Sequence, residues 1–392
     1  MTIETEPQGG ERIFTRDFSL LFLANLTNFL GFYLLLATLP AYISGFVPQQ
    51  KVVGVILGIF GLVGLLLRPL VGRLADLRGG KGLMLAGSAV LLAATLLYPR
   101  GHDAGSFLLL RVMHGLGWAA FGTAASALVA LIVPARRRGE AMGYYGMSTN
   151  VAMAVAPAVG VFVVSQSGWG YSALFALSAG LVLLAAGVTL PVGNRQAEAC
   201  STARGWRAFF LPSAIFPSVV AGISTLTYAS VAFWLPQYGK AEGLGNVGFF
   251  FTVFAIVLVL ARGPLGILSD RIGRAAVTAP GLLCSAAAMA LLALWPSNMM
   301  LLAVAGLYGL STAAVQPTLM AMAADRAGPS ERGAAMGTYT TAFDIGIGGG
   351  AVLCGLLIDA AGFQTMYLVS GAVSVLSMAV LLAGGRQAKS GK

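Results

Sequence analysis

The sequence predicts an all-α membrane protein: twelve transmembrane helices in two pseudo-symmetric six-helix bundles, with both termini in the cytoplasm. Three observations carry that expectation. Of 392 residues, 57% are hydrophobic and only 10% charged, whereas a soluble chain has roughly 25% charged residues to cover its surface. Apolar runs of about 20 residues, the length that crosses a bilayer, recur from end to end. Charged and glycine-containing segments of the first half also return in the second at one fixed offset.

The runs place helices at about 18–40, 51–72, 82–98, 105–131, 140–164 and 171–191 in the first half. In the second half they fall at about 209–235, 247–268, 276–295, 299–323, 333–358 and 363–384. The tail before the first run is polar and acidic, unlike the basic start of a signal peptide, so that run is expected to remain as helix 1. The 52 glycines would weaken soluble helices, yet small residues suit close helix packing in lipid. The longest interior polar stretch, 192–208, is the expected cytoplasmic linker between a bundle over 1–191 and a bundle over 209–392.

A net charge of +10 invites a nucleic-acid reading, which placement excludes. With a cytoplasmic N-terminus, 18 of the 24 Lys and Arg fall on the cytoplasmic side, and only Lys51, Arg100 and Lys240 fall outside. That asymmetry is the positive-inside rule, so the basic balance reports topology and the expected partner is the lipid bilayer. Cys200, Cys284 and Cys354 have no metal-ligand spacing, and packing is their expected role. No GxxxxGK[ST] motif for nucleotide hydrolysis occurs, and "HDAG" at 102–105 is an outside loop and not a metal site. Neither a metal nor a cofactor is expected.

"GRLADLRGGK" (72–81) returns as "GILSDRIGR" (266–274), with Arg68, Gly72 and Asp76 matching Arg262, Gly266 and Asp270 at an offset of 194. "RGEAMGYY" (138–145) returns as "RGAAMGTY" (332–339) at the same offset. Parallel repeats of this kind place a substrate path between the halves, near the midplane.

These segments carry a resemblance. "GRLADLRGGK" resembles the loop between helices 2 and 3 of the major facilitator superfamily, and "LLLRVMHGLGWAAFG" (108–122) resembles the helix 4 motif of its proton-coupled antiporters. "STNVAMAVAPAVG" (148–160) looks like a degraded helix 5 antiporter motif, with Ala156 where that motif has glycine before the proline. "AFDIGIGGG" is similar to helix 11 of bacterial drug-efflux-like members. The resemblance covers essentially the whole chain and implies the major facilitator fold. In the family the loop acid meets the start of helix 11 and neighbouring arginines, locking the outward-facing state. That gating role carries over to Gly72, Arg73, Asp76 and Lys81, and by repeat to Gly266, Asp270, Arg271 and Arg274. Leu77 stands where the motif usually has a basic residue after its acid, and Arg78 follows, which implies a rewired relay. Ordinary charged turns are the competing reading.

Inside the membrane, Arg111 is followed at i+3 and i+7 by His114 and Trp118, which share its helix face. An arginine at that depth should face protein or water, and the resemblance assigns it to proton translocation or conformational change. His114 replaces a glutamine common in the motif, either as a neutral hydrogen-bonding stand-in or as a titrating group. Of 14 Asp and Glu, Asp344 alone sits at mid-depth, on a stripe with Gly333, Gly337, Thr341, Gly348 and Gly355. Its repeat-mate in helix 5 is Asn150. Burial disfavours a charged carboxylate and a nearby cation favours it, so Asp344 either exchanges a proton during transport or pins helices 5 and 11 together.

Asn25, Asn28 and Tyr33 on the first helix, with Thr225, Tyr228 and Trp234 on its repeat, are the polar and aromatic candidates for lining a cavity, alongside Trp118 and Asn150. Core packing is the competing role for each aromatic. Arg68 and Arg262 are expected near the cytoplasmic helix ends. The resulting expectation is a monomeric, non-enzymatic exporter in the bacterial cytoplasmic membrane, moving small amphiphilic molecules against protons. Uptake or facilitated diffusion of a polar metabolite such as a sugar is the alternative, and a non-transporting receptor or scaffold the third reading.

Overall fold

The computed structural model describes residues 13–134, 137–165, 169–196, 211–245, 247–328 and 332–390, apart from the side chains of 76, 138–140, 332–333 and 385–390. Most of the expected 192–208 linker, with Cys200, lies outside that description. The first six long helices are α1 (Arg16–Leu36), α2 (Gln50–Arg78), α3 (Gly80–Leu97), α4 (Ala104–Ile132), α5 (Arg138–Ser165) and α6 (Gly170–Thr189). The next four are α7 (Pro212–Ala241), α8 (Val247–Ile272), α9 (Arg274–Leu294) and α10 (Asn298–Asp325). The helical stretch Arg332–Ser390 breaks at Gly362, whose φ of 79° lies outside helical space, giving α11 (332–361) and α12 (363–390). Eleven segments among the described residues are long and apolar enough to cross a membrane, the last holding α11 and α12 together. A multi-pass membrane protein results, with the first and last described residues on one face, here the termini face.

Local chemistry sets the ends. The α2–α3 and α8–α9 turns pivot on Gly79 (φ 85°) and Gly273 (φ 99°), which share the 194-residue offset and a backbone conformation that L side chains rarely adopt. At α4, Asp103 caps the first turn by accepting from the Gly105 and Ser106 amides at 2.8 and 3.0 Å.

The two bundles meet along two seams, α2 on α11 and α5 on α8. On the first, glycines bring the backbones together: a Cβ on Gly58 would stand 2.6 Å from the Gly348 carbonyl oxygen, and one on Gly61 would stand 2.7 Å from that of Asp344. The apolar core shows where the halves part. One buried cluster, on the face opposite the termini, draws on both bundles: Phe32, Tyr33 and Phe60 with Tyr228, Trp234 and Phe254. Towards the termini face the core splits into a cluster confined to α1–α6, including Phe18 and Phe121, and another confined to α7–α12, including Leu282 and Tyr339. The halves are therefore sealed on the far face and separate on the termini face.

Candidate functional site

At the fork lies the one ion pair that joins the bundles among the described residues. Arg68 Nη2 on α2 donates to Asp344 Oδ2 on α11 at 2.5 Å, with the two side chains 25% and 14% exposed. The carboxylate thus has its counter-charge, supplied from the other half of the chain. Arg68 lies ten residues, about 15 Å, from the termini-face end of α2. It is well inside the span and not near the helix end, as its sequence position had suggested. Low local dielectric strengthens the pair, while residual exposure keeps it within reach of water and protons.

Around this pair the sequence candidates separate into groups. Tyr33 is buried and within electrostatic reach of Tyr228 and Asp344. Thr225 and Tyr228 line a small open pocket between α7, α9 and α10, where Ser224, Tyr308, Thr312 and Gln316 add polar groups. Tyr308, Ser311 and Ser285 in the same lining were not singled out from sequence, because they look like ordinary core positions. Asn25 is consumed structurally: its Nδ2 donates to Ser148 and Thr149 at 2.7 and 2.9 Å, and its Oδ1 accepts from Tyr145 at 2.8 Å. One turn on, both amide atoms of Asn28 are buried without a partner. Asn150 is half-buried. Trp234 is fully buried in the far-face cluster.

Arg111, His114 and Trp118 do share a face, as their spacing requires, but it turns into the first bundle. Arg111 is 2% exposed; its Nη2 donates to the Leu57 carbonyl at 3.2 Å and its guanidinium lies 4.9 Å from the Phe60 ring centroid. No ion pair reaches it among the described residues. His114 Nδ1 lies 3.5 Å from the Tyr98 hydroxyl, and Trp118 packs on Phe29 and Phe32 at 4.2 and 4.0 Å between centroids. Leu57 is eleven residues from Arg68 along α2, about 16 Å, so the structure does not bring Arg111 and Asp344 together.

The turn motifs bind within their own bundles. Lys81 donates from Nζ to the Leu190 carbonyl at 2.5 Å, the open end of α6, while Asn194 donates to the Arg78 carbonyl at 3.3 Å. In the second copy Arg274 pairs with Asp270, with Asp325 at 3.0 Å and with Ser269 at 2.8 Å. Arg73 and Arg271 are exposed, while Gly72 and Gly266 leave room for a Cβ. The Asp76 side chain lies outside the described residues.

On the far face a latch went unread in the sequence. Asp359 of α11 accepts from the Gln50 and Lys51 amides at 2.9 and 2.8 Å, capping the start of α2 across the bundles. Gln237 of α7 reaches Ser44 at 3.2 Å, and Ser44 reaches Gln50 at 3.1 Å. The missed signal was an acid placed one repeat of the α2–α11 contact beyond Gly355.

Comparison with known proteins agrees with this architecture. The chain is 24% identical over 370 residues to an uncharacterized MFS-type transporter of Methanocaldococcus jannaschii, covering 91% of this chain and 95% of that protein. It is 22% identical over 342 residues to the staphylopine export protein of Staphylococcus aureus, covering 84% and 86%. Among solved structures, a POT family transporter in complex with 5-aminolevulinic acid superimposes with a TM-score of 0.77 at 13% identity, covering 98% of this chain and 99% of that one. The sequence profile of the Major Facilitator Superfamily matches residues 21–250 and 244–392. The chain is a membrane transporter, not an enzyme, and it belongs to the Major Facilitator Superfamily.

Proposed function

We propose that this transporter exports small amphiphilic molecules in exchange for protons, by rocker-switch alternating access, as a monomer in a bacterial cytoplasmic membrane. The observation that carries the reading is the Arg68–Asp344 pair, which spans the bundles where they part. In this reading the termini face is cytoplasmic, by the positive-inside count, and the pair belongs to a cytoplasm-open state in which Asp344 is ionised. Protonation of Asp344 removes the charge that holds Arg68 across the seam. The α2–α11 contact is then left to its glycine packing and the Asp359 cap, and the outward-open state becomes accessible. Release of the proton to the cytoplasm restores the pair.

The energy available is sufficient: one charge crossing about 100 mV supplies roughly 2.3 kcal/mol, which sustains a solute gradient near 50-fold. The name of the Staphylococcus aureus relative, an export protein, supports the outward direction. Everted membrane vesicles test the reading. Acidifying the lumen by respiration should drive a fluorescent amphiphile into vesicles that contain the protein, and dissipating the pH gradient should release it. Equilibration without accumulation, or accumulation in right-side-out vesicles instead, would favour facilitated diffusion or uptake of a polar metabolite.

A further inference from the structure

The repeat that maps Arg68 onto Arg262 also maps Asn150 onto Asp344, both at 194 residues. The α2–α11 seam has its counterpart in α5 on α8. In the repeat, then, the equivalents of the ion pair's two residues are Arg262 of α8 and Asn150 of α5: the cation is kept and its carboxylate is replaced by a neutral amide. The consequence is visible. Arg262 Nη1 is buried without a hydrogen-bond partner, and no ion pair reaches Arg262 among the described residues. Tyr339 lies within its electrostatic reach but commits its own hydroxyl to the Gln316 carbonyl at 2.9 Å. Asn150 makes no hydrogen bond among the described residues.

Arg262 stands ten residues from the end of α8, as Arg68 does from the end of α2, so both residues hold the same register on their helices. Arg68 has Asp344, although its Nε is also buried and unpartnered. The two helices therefore bring two guanidinium groups and one carboxylate, and the part-buried Arg262 is left without a counter-charge among the described residues, an arrangement that favours an anion there. A planar guanidinium matches a planar carboxylate through paired hydrogen bonds, and the Asn150 amide adds a further donor. Past Tyr339, Gln316 begins the hydroxyl-lined pocket, which offers hydrogen bonds to the rest of a ligand.

We propose that the Arg262–Asn150 position binds an anionic group, a carboxylate by preference, and that the transported amphiphile is an organic anion. The inference rests on the proposed function only in placing the substrate in this cavity. Exchange of a monoanion for one proton would move two positive charges inward per cycle, so an interior-negative potential assists export.

Isothermal titration of the purified full chain with 1-naphthoate and its neutral amide, 1-naphthamide, tests the site without reference to proton coupling. Wild type should prefer naphthoate by about tenfold or more, the scale of a charge-assisted contact. Arg262→Gln should lose that preference and keep naphthamide binding, which also reports folding. Asn150→Asp should lose it as well, because its carboxylate supplies the missing counter-charge. If either variant binds neither probe, Arg262→Lys decides: a reduced preference with intact naphthamide binding supports the site, and an unchanged preference overturns it. Equal binding of both probes to wild type, or a preference surviving in Arg262→Gln, overturns the proposal. Naphthoate binding that chloride abolishes at equal concentration would assign the site to a resident inorganic anion, and likewise overturns it. Loss of proton-driven flux with the charge preference intact would sink the antiport reading and leave this one standing.

Discussion

Replacing Gly58 by alanine should push the transporter towards its outward-open state. The new methyl would stand 2.6 Å from the Gly348 carbonyl oxygen and 2.7 Å from Val352 Cγ2, where ordinary contact begins at 3.4 Å. The α2 and α11 backbones must therefore separate locally by roughly 0.8 Å. Carbonyl oxygens in a helix cannot rotate away, so the whole seam gives, and overpacking of this kind costs about 1–3 kcal/mol. In the proposed cycle the seam closes only when the far face is sealed, so that cost shifts the equilibrium between the two states by about 5–150-fold. The assay is labelling of Ala351→Cys, a position fully buried beside this seam, by a membrane-impermeant maleimide applied to the far face, in a background without the three native cysteines. Gly82→Ala is the control, because nothing lies within 4 Å of its Cβ position. Labelling should accelerate in Gly58→Ala and not in Gly82→Ala. Equal rates in Gly58→Ala and the parent would refute the claim that this packing seals the far face.

Other outcomes follow from the same geometry. Removing one partner of a buried ion pair costs about 3–5 kcal/mol, which partial exposure here reduces to about 1–3 kcal/mol. Arg68→Gln and Asp344→Asn should thus each lower thermal stability, with the double variant recovering much of the loss; strictly additive losses would deny the coupling. Asp359→Asn weakens the charged cap on α2, worth about 0.5–2 kcal/mol, and should raise far-face labelling in the same assay as Gly58→Ala. The Asp103 carboxyl is held below the usual aspartate range, first by the Ser106 amide and also by that of Gly105. Its stabilising contribution is present above the ordinary value of 3.8 and lost as pH falls through the lowered one. Asp103→Ala should accordingly melt earlier than wild type at neutral pH and converge with it in strong acid.

Much of the fold could be read from the chain because bilayer thickness imposes helix length. The expected span at 105–131 became Ala104–Ile132, and that at 247–268 became Val247–Ile272. The break at Gly362 falls between the spans expected at 333–358 and 363–384. Hydropathy gives depth along a helix but neither its azimuth nor its neighbours. Asp344 was therefore recognisable as an exceptional acid, and of its stripe Gly348 and Gly355 pack with it on α2. Its partner was not recognisable, since Arg68 is 276 residues away and its exposed loop neighbours made it look like a helix end. Arg111 and His114 illustrate the reverse: a shared face is legible from spacing, but whether it looks into a bundle or a cavity is decided by the helices packed against it. The repeat offset held the clue to both, because it pairs Arg68 with Arg262 and Asn150 with Asp344.

The central claim, that the ionisation of Asp344 couples proton movement to the rocking of the bundles, is tested most directly in proteoliposomes by comparing two fluxes through wild type and Asp344→Asn. Wild type should accumulate solute against its gradient when a pH difference is imposed. Asp344→Asn should still exchange labelled for unlabelled solute at equilibrium yet fail to accumulate it. Accumulation by Asp344→Asn at the wild-type level would contradict the account.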